Sequence, residues 1–210
     1  GFLPVAERWF DRMCSVPGVR PDVPVYTAMI EASASAGDRQ KAESWFGKLL
    51  EAGLRPDVLS YCAVMRAHGA AGDIDAMERW LDQMESDGVR PTADSFGLAI
   101  RACAQLGNCE RADDLLDRMQ AAGLRPTRHA HSTVFREMLD VAARAGDFTR
   151  ARKYFAMLQQ FGPPEIDSWN ALLSAYRHPR RVERCFVEIV QTGVMPNKLS
   201  VILLREALGK

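Results

Sequence analysis

The chain contains 210 residues, 47% of them hydrophobic, which is enough apolar surface for a buried core in one or two ordinary domains. Its 27 lysines and arginines balance its 27 aspartates and glutamates, so the total charge gives no indication of nucleic-acid binding. We expect no membrane span, because no apolar run approaches the roughly 20 residues that a spanning helix needs. The five cysteines include no Cys-x-x-Cys pair, which favours a reducing compartment over a disulfide framework: Cys14, Cys62, Cys103, Cys109 and Cys185.

The first complete pattern in the chain is a pair of amphipathic helices. Residues 1–22 are predicted to hold only one helix, the second helix of a truncated repeat. In residues 23–57 a first helix stops at Gly37, where Asp38 can cap a second helix that ends at Gly53. The predicted core residues are Tyr26, Met29, Ile30 and Ser33 from the first helix and Ala42, Trp45, Phe46 and Leu49 from the second.

The turn between successive helix pairs repeats with a period of 35 residues. It runs Gly18-Val-Arg-Pro-Asp22 and returns as Gly53-Leu-Arg-Pro-Asp57, Gly88-Val-Arg-Pro-Thr92 and Gly123-Leu-Arg-Pro-Thr127. Aromatic, glycine and aliphatic positions within the pairs share this period. So many positions at one spacing identify an internal repeat.

The repeat divides the chain into units. Three regular repeats are followed by less regular ones: 23–57, 58–92, 93–127, then 128–165 with an insertion, 166–197 shortened, and 198–210 as the first helix of a partial repeat. Neither helix of a pair can bury its apolar stripe alone, so the units must stack as one continuous all-α solenoid of helix-turn-helix repeats. Because both ends cut across repeats, we expect further repeats, or a partner, against the end faces.

The 35-residue period, the early Tyr or Phe of the first helix and the Gly-x-Arg-Pro-Asp/Thr turn resemble the plain 35-residue repeats of the pentatricopeptide family. The resemblance covers essentially the whole chain. It implies a right-handed superhelix whose concave face is built from the first helices. It also implies a mitochondrial or plastid protein that binds single-stranded RNA at one base per repeat, a known mode of RNA recognition. In the family, the fifth and last residues of a repeat contact the base and the second packs against it.

Carried over to this sequence, the resemblance gives an uneven set of base-contacting residues. The outer pairs are Thr27 with Asp57, which the family associates with guanine, and Asn170 with Asn197, which it associates with a pyrimidine. The inner positions are weaker: Cys62 with Thr92, Gly97 with Thr127, and Ser132, or Arg136 if the insertion of the fourth repeat precedes it. Glycine has no side chain to reach a base, and a thiol is a weak donor. The second positions are Pro24, Leu59, Asp94, His129 and Asp167.

Arginines at the ninth position of three repeats suggest a phosphate-contacting row. Arg66, Arg101 and Arg136 follow each other at 35 residues, and each lies one helical turn beyond a fifth residue. Phosphate contacts would give affinity that does not depend on base sequence. Alternatively, these arginines pair with acidic residues of neighbouring repeats; Glu31 holds the ninth position of the first repeat. For the turn arginines, Arg20, Arg55, Arg90 and Arg125, we expect a structural role at helix C-termini.

Nothing in the sequence predicts catalysis, a cofactor, a metal site or a small-molecule substrate. The zinc deaminase signature of some family members is missing, and the acidic clusters around Asp82 and Asp113 have the spacing of a solvated helix face. Two functions remain. One is RNA binding in organellar RNA processing, stability or translation. The alternative is a protein-interaction scaffold in a large organellar assembly, such as a ribosome, a polymerase or a membrane complex, with degenerate RNA-contacting positions.

Overall fold

The computed structural model describes residues 2–126, 128–176 and 178–209, and the side chains of 128–131 are not part of that description. Across these residues the protein has twelve α-helices and no strand, which confirms the predicted all-α class, including the additional helix at the C-terminus. None of these helices is long and apolar enough to span a membrane. The helices are α1 Leu3–Cys14, α2 Val23–Ser35, α3 Arg39–Glu51, α4 Val58–Ala70, α5 Ile74–Ser86, α6 Ala93–Gln105, α7 Cys109–Ala121, α8 Arg128–Ala145, α9 Phe148–Gln159, α10 Ile166–Ala175, α11 Pro179–Gln191 and α12 Lys198–Leu208.

The turns within the helix pairs fall where the sequence predicts them. Gly37 adopts a left-handed φ of 74°, and the side chain of Asp38 then accepts a hydrogen bond of 2.9 Å from the Lys41 backbone N–H. This cap satisfies one of the N–H groups that a helix leaves without a partner at its start. The same glycine conformation recurs at the other three predicted turns, Gly72, Gly107 and Gly146.

The chain divides into two compact units. The first comprises Gly1–Leu106 together with Asp114–Leu124. Within it, α2 packs on α3 and α4, and α4 packs on α5 and α6, so each first helix contacts both its own partner and the next first helix. The eight predicted core residues of the 23–57 repeat are all buried.

Aromatic rings fill the spaces between successive pairs in this first unit. Phe10 and Trp45 lie edge to face with their centroids 4.7 Å apart, and Phe46 and Trp80 repeat the contact at 4.9 Å. Trp45 is 5% exposed, as predicted. Trp80 is partly buried and packs against the same hydrophobic cluster. One side of Trp80 borders a surface pocket that also exposes Glu43.

The second unit comprises Gly107–Asp113 together with Arg125–Lys210. Within it, α8 packs on α9 and α10, and α10 packs on α9, α11 and α12. Its largest buried rings are Tyr154 and Trp169, and Trp169 lies 4.4 Å from Phe155 between ring centroids.

Helix α8 contains the insertion of the irregular fourth repeat. It begins at the first residue of that repeat, as α4 and α6 do, and its 18 residues make it longer than those helices at the C-terminal end. Two successive pairs of its apolar residues are fully buried, Val134 with Phe135 and Met138 with Leu139. Counted from the start of the helix, Ser132 holds the fifth position of the repeat.

Candidate nucleic-acid interface

The predicted base-contacting residues meet at the junctions between repeats, where a serine joins them. At the first junction, the Oγ1 of Thr27 lies 2.8 Å from the Oγ of Ser60, and that Oγ donates a 2.8 Å hydrogen bond to Asp57 Oδ1. The single hydroxyl proton of Ser60 is thereby used, so Thr27 must donate its own proton to Ser60. The Ser60 backbone N–H also donates to Asp57 Oδ1, which leaves Oδ2 of this exposed residue as the outward acceptor.

The second junction repeats this arrangement with weaker groups. Cys62 Sγ lies 3.4 Å from Ser95 Oγ, and Ser95 forms a capping box with Thr92 at the start of α6. Burial raises the pKa of the Cys62 thiol, although its contact with Ser95 opposes the rise, so the sulfur stays protonated. A neutral thiol is a poor hydrogen-bonding group. This junction therefore offers less to a base than the first.

The fifth junction, at the start of α12, has the same geometry with amides. Ser200 Oγ donates to Asn170 Oδ1 at 2.7 Å, and both the Ser200 backbone N–H and Asn170 Nδ2 donate to Asn197 Oδ1, at 3.0 and 3.1 Å. With its oxygen occupied in this way, exposed Asn197 directs its amino group, a double donor, away from the protein.

The two members of each predicted pair therefore differ in accessibility. Thr27, Cys62 and Asn170 are 7%, 5% and 3% exposed, and each is hydrogen-bonded to the serine of the next repeat. The fifth-position side chains thus lie against the serine that contacts the last residue of the repeat. The serines were missed by the sequence analysis, although Ser60 and Ser95 share the 35-residue period.

The third and fourth junctions differ from this pattern. Gly97 is buried and contributes no side chain, and its predicted partner Thr127 lies outside the described residues. At the fourth junction, Ser132 and Ser168 line a cavity of about 160 Å³ together with Glu165, the last residue of that repeat. The side-chain oxygens of these three residues form no hydrogen bond with any described residue. The fourth junction therefore contains a cavity, whereas hydrogen bonds to a serine connect the residues of the first, second and fifth junctions.

The ninth-position arginines are not equivalent to one another. Arg66 forms an ion pair with Glu31, the residue 35 positions earlier, as the alternative of intramolecular pairing predicted. Arg101 and Arg136 are exposed and make no ion pair with the part of the chain that is described. At the second positions, Pro24, Leu59, Asp94 and Asp167 are exposed, while the side chain of His129 lies outside the description.

One acidic residue departs from its predicted role as solvated surface. Asp113 on α7 is 18% exposed, and it accepts from Lys153 Nζ at 2.8 Å, Arg150 Nε at 3.0 Å and Tyr154 Oη at 3.0 Å. Burial, followed by the charge of Asp113, raises the pKa of Tyr154, which keeps the phenol protonated as a donor. Asp113 joins α7 to α9 and has no free oxygen for a metal or a ligand. Among the described residues, no three His, Cys, Asp or Glu side chains are grouped to hold a metal ion.

Comparison with known proteins gives a consistent set of relatives. The family model described as the pentacotripeptide-repeat region of PRORP matches residues 4–138. A chloroplastic pentatricopeptide repeat-containing protein of Arabidopsis thaliana is 26% identical over 69 residues, which is 31% of this chain and 8% of that protein.

Solved structures share the fold at low sequence identity. The maize pentatricopeptide repeat protein PPR10 matches 98% of the chain and 34% of its own length, with 21% identity and a TM-score of 0.66. PPR10 in complex with an 18-nucleotide psaJ RNA element gives 24% identity, 99% and 29% coverage, and a TM-score of 0.67. The PPR domain of Arabidopsis thaliana protein-only RNase P 1, in complex with tRNA, gives 16% identity, 77% and 83% coverage, and a TM-score of 0.64. The chain thus spans about a third of the length of PPR10.

Proposed function

The chain belongs to the pentatricopeptide repeat family, and from that membership we propose that it binds single-stranded RNA across the junctions between its repeats. The relatives solved with RNA support this proposal, because they share the helix-pair fold over most of the chain. We propose further that this segment binds without catalysing a reaction, and that it acts in RNA processing, stability or translation in a mitochondrion or plastid.

The observation that carries the proposal is the hydrogen-bonded junction. A residue that faces a base must present a defined edge, and the serine contacts fix which edge that is. Asp57 presents an acceptor, which suits the N1–H and amino donors on the Watson–Crick edge of guanine. Asn197 presents a double donor, which suits the carbonyl acceptors of a pyrimidine. Both preferences agree with those that the family resemblance implies, and at each junction a serine sets the group that is presented, Ser60 at the first and Ser200 at the fifth.

Two further features support binding along the same residues. Leu59, 61% exposed at the second position, offers an apolar surface on which a base can stack without sequence preference. Arg101 and Arg136 offer exposed guanidinium groups, which suit phosphate oxygens.

One observation favours the alternative function as a protein-interaction scaffold. The ion pair between Arg66 and Glu31 neutralises one of the three cations on which sequence-independent RNA affinity was expected to depend. Under this alternative the native chain would show no measurable affinity for single strands at moderate salt, and the exposed first-helix residues would contact protein subunits instead.

Reciprocal exchange of the two end residues tests the proposal. Asp57→Asn should replace the outward acceptor with a donor, and Asn197→Asp should do the opposite, while Asn and Asp cap helices about equally well. We expect each variant to lose, at one base position, roughly tenfold of its preference for the original base, about 1.4 kcal/mol. The measurement is a titration of short labelled RNAs that differ at a single base.

The matched control is Asp38→Asn, which makes the same change at a helix cap within a repeat and away from the junctions. It should leave base preference unaltered. If the parent protein binds no single strand at moderate salt, the RNA-binding proposal is wrong. If it binds and the reciprocal variants keep the parental preference, the junctions do not select bases.

A further inference from the structure

The turn between repeats carries an exposed arginine that forms no ion pair or hydrogen bond with the described part of the chain. In the first unit, Arg20, Arg55 and Arg90 occupy the same place in the Gly-x-Arg-Pro turn, and all three are exposed. None of them forms an ion pair or hydrogen bond with a residue in the described ranges. Arg125 is the exposed equivalent in the second unit. The expected structural role at helix C-termini would bring these side chains to the last carbonyl groups, and no such hydrogen bond is present among the described atoms.

The backbone on both sides of Arg55 is constrained by its neighbours. In the turn around Arg55, Gly53 has a φ of 71°, which residues with a Cβ rarely adopt. Pro56 fixes the next φ, and Asp57 is anchored by Ser60 one residue further on. The arginine therefore projects from a rigid frame, two residues before the residue that faces the base. Two residues of extended chain span about 7 Å, which is within the reach of an arginine side chain.

Four other cations of the first unit behave differently, because each forms an ion pair with a neighbouring repeat. Lys41 pairs with Glu7 at 2.8 Å, Arg39 with Asp73 at 3.3 Å, and Arg118 with Asp82 at 2.7 Å. Each partner lies 34 to 36 residues away, on the corresponding second helix of a neighbouring repeat. Arg66 is likewise paired across one repeat with Glu31. The turn arginines are thus a periodic set of cations that have no acidic partner among the residues the structure describes.

We infer that the turn arginines are the main phosphate-contacting row of the protein, to which the exposed ninth-position arginines add. This inference rests on the proposed function and extends it. The row has one cation per repeat, which matches a polyanion with regularly spaced charges. If a strand binds with one base per repeat, it brings one phosphate to each turn. The planar guanidinium donates paired hydrogen bonds to phosphate oxygens. Such contacts add affinity and fix the position of the strand without selecting bases.

The test is the salt dependence of RNA binding by an Arg20→Gln, Arg55→Gln, Arg90→Gln triple variant of the whole chain. Each lost phosphate contact should make the slope of log affinity against log salt shallower by about 0.7, the single-strand value, so the triple variant should lose about 2 from the slope. Base preference should stay as in the parent. The corresponding triple Lys variant, which keeps the three charges, should retain most of the parental slope.

The matched control removes three positive charges from the second helices, as Arg39→Gln, Lys41→Gln and Arg118→Gln. Its slope should differ little from that of the parent, although its melting temperature can fall. An unchanged slope in the turn variant overturns the inference while RNA binding stands. A lower melting temperature with an unchanged slope assigns these arginines to helix stabilisation and also overturns it. If the parent itself binds no RNA at any salt concentration, the proposed function fails and this inference fails with it.

Discussion

At the scale of single residues, the junction serines decide what each repeat presents to its surroundings. Ser60 accepts a hydrogen bond from Thr27 and donates one to Asp57, so a short chain of hydrogen bonds runs from a buried hydroxyl to an exposed carboxylate. Leaving a buried hydroxyl without a partner costs about 1–3 kcal/mol. A fifth-position residue is therefore constrained by the serine that it meets as well as by the base that it faces.

The ion pair between Glu31 and Arg66 leads to a prediction at this scale. Both side chains are about half exposed, and such a pair contributes about 1 kcal/mol or less. Glu31→Gln should free Arg66 to contact phosphate. We expect RNA affinity at low salt to rise two- to fivefold and the salt slope to steepen by about 0.7. Fluorescence anisotropy at several salt concentrations measures both quantities.

Glu7→Gln is the control for this change, since Glu7 pairs with Lys41 between second helices. It makes the same substitution in an ion pair remote from the first-helix positions. An equal gain in affinity from both variants would mean that net charge alone is responsible, and would contradict a specific role for Arg66.

The sequence predicted the site in part. The positions of Thr27, Asp57, Asn170 and Asn197 were implied by the family resemblance once the repeat was known, and the structure brings each pair together at a serine. It did not predict that the fifth residues are buried and hydrogen-bonded, because that depends on a serine in another repeat. The sequence also did not decide which ninth-position arginines form ion pairs. Arg66 and Arg101 hold the same position in their repeats, and only the presence of Glu31 next to Arg66 distinguishes them.

At the scale of helices, sequence patterns were most reliable where backbone chemistry is local. Caps such as Asp38 and left-handed glycines such as Gly37 act within a few residues, so they fixed the ends of the helices. The long helix α8 was harder, because an insertion detected from spacing can precede or follow Ser132. The start of α8 at Arg128 favours Ser132 as the fifth residue, while the burial of α8 is the same in both registers. Asp113 was wrongly assigned to the solvated face of α7. Its partners lie on α9, and the pattern of residues along α7 does not indicate which residues α9 brings near.

Asp113 gives the prediction at this scale. Asp113→Ala removes the shared acceptor of Arg150, Lys153 and the buried Tyr154. Hydrogen bonds to a charged group contribute about 1.5–3 kcal/mol, so we expect the free energy of unfolding to fall by about that amount. Urea denaturation followed by circular dichroism measures it.

Asp117→Ala is the companion variant on the same helix. Asp117 is exposed, and it has no ion pair or hydrogen bond with described residues. Its replacement should change stability by no more than about 0.5 kcal/mol. Equal losses from the two variants would show that α7 is sensitive to any loss of negative charge and that the Asp113 contacts have no special weight.

At the scale of the whole molecule, stability comes from contacts between neighbouring repeats. Trp45→Ala should cost about 3–5 kcal/mol by lost burial and cavity formation. Trp80→Ala should cost less, because part of that indole already faces a surface pocket. The exposed Trp9 serves as the control, and its replacement should have little effect.

Because coupling in a repeat protein is to nearest neighbours, loss of Trp45 should expose α2, α3 and α4 before more distant helices. Hydrogen exchange resolved by residue measures this directly. A uniform loss of protection along the chain would contradict nearest-neighbour coupling and indicate a single cooperative transition.

The serine bridge has a consequence for exchanging modules of this protein. A folding unit ends at the last residue of a repeat, at Asp57 for example, but the group that aims Asp57 belongs to the repeat that follows. The segment that selects a base therefore does not coincide with one repeat: it runs from Thr27 through Ser60, three residues beyond the end of the repeat. A chimera cut at the repeat boundary would transplant Thr27 and Asp57 without Ser60, and it would keep the bridge only where the following repeat has its own serine at the third position, as Ser95 is in the repeat 93–127. The same graft extended by three residues would carry the hydrogen-bond chain with it, so the residues just beyond the cut determine whether a transplanted preference survives.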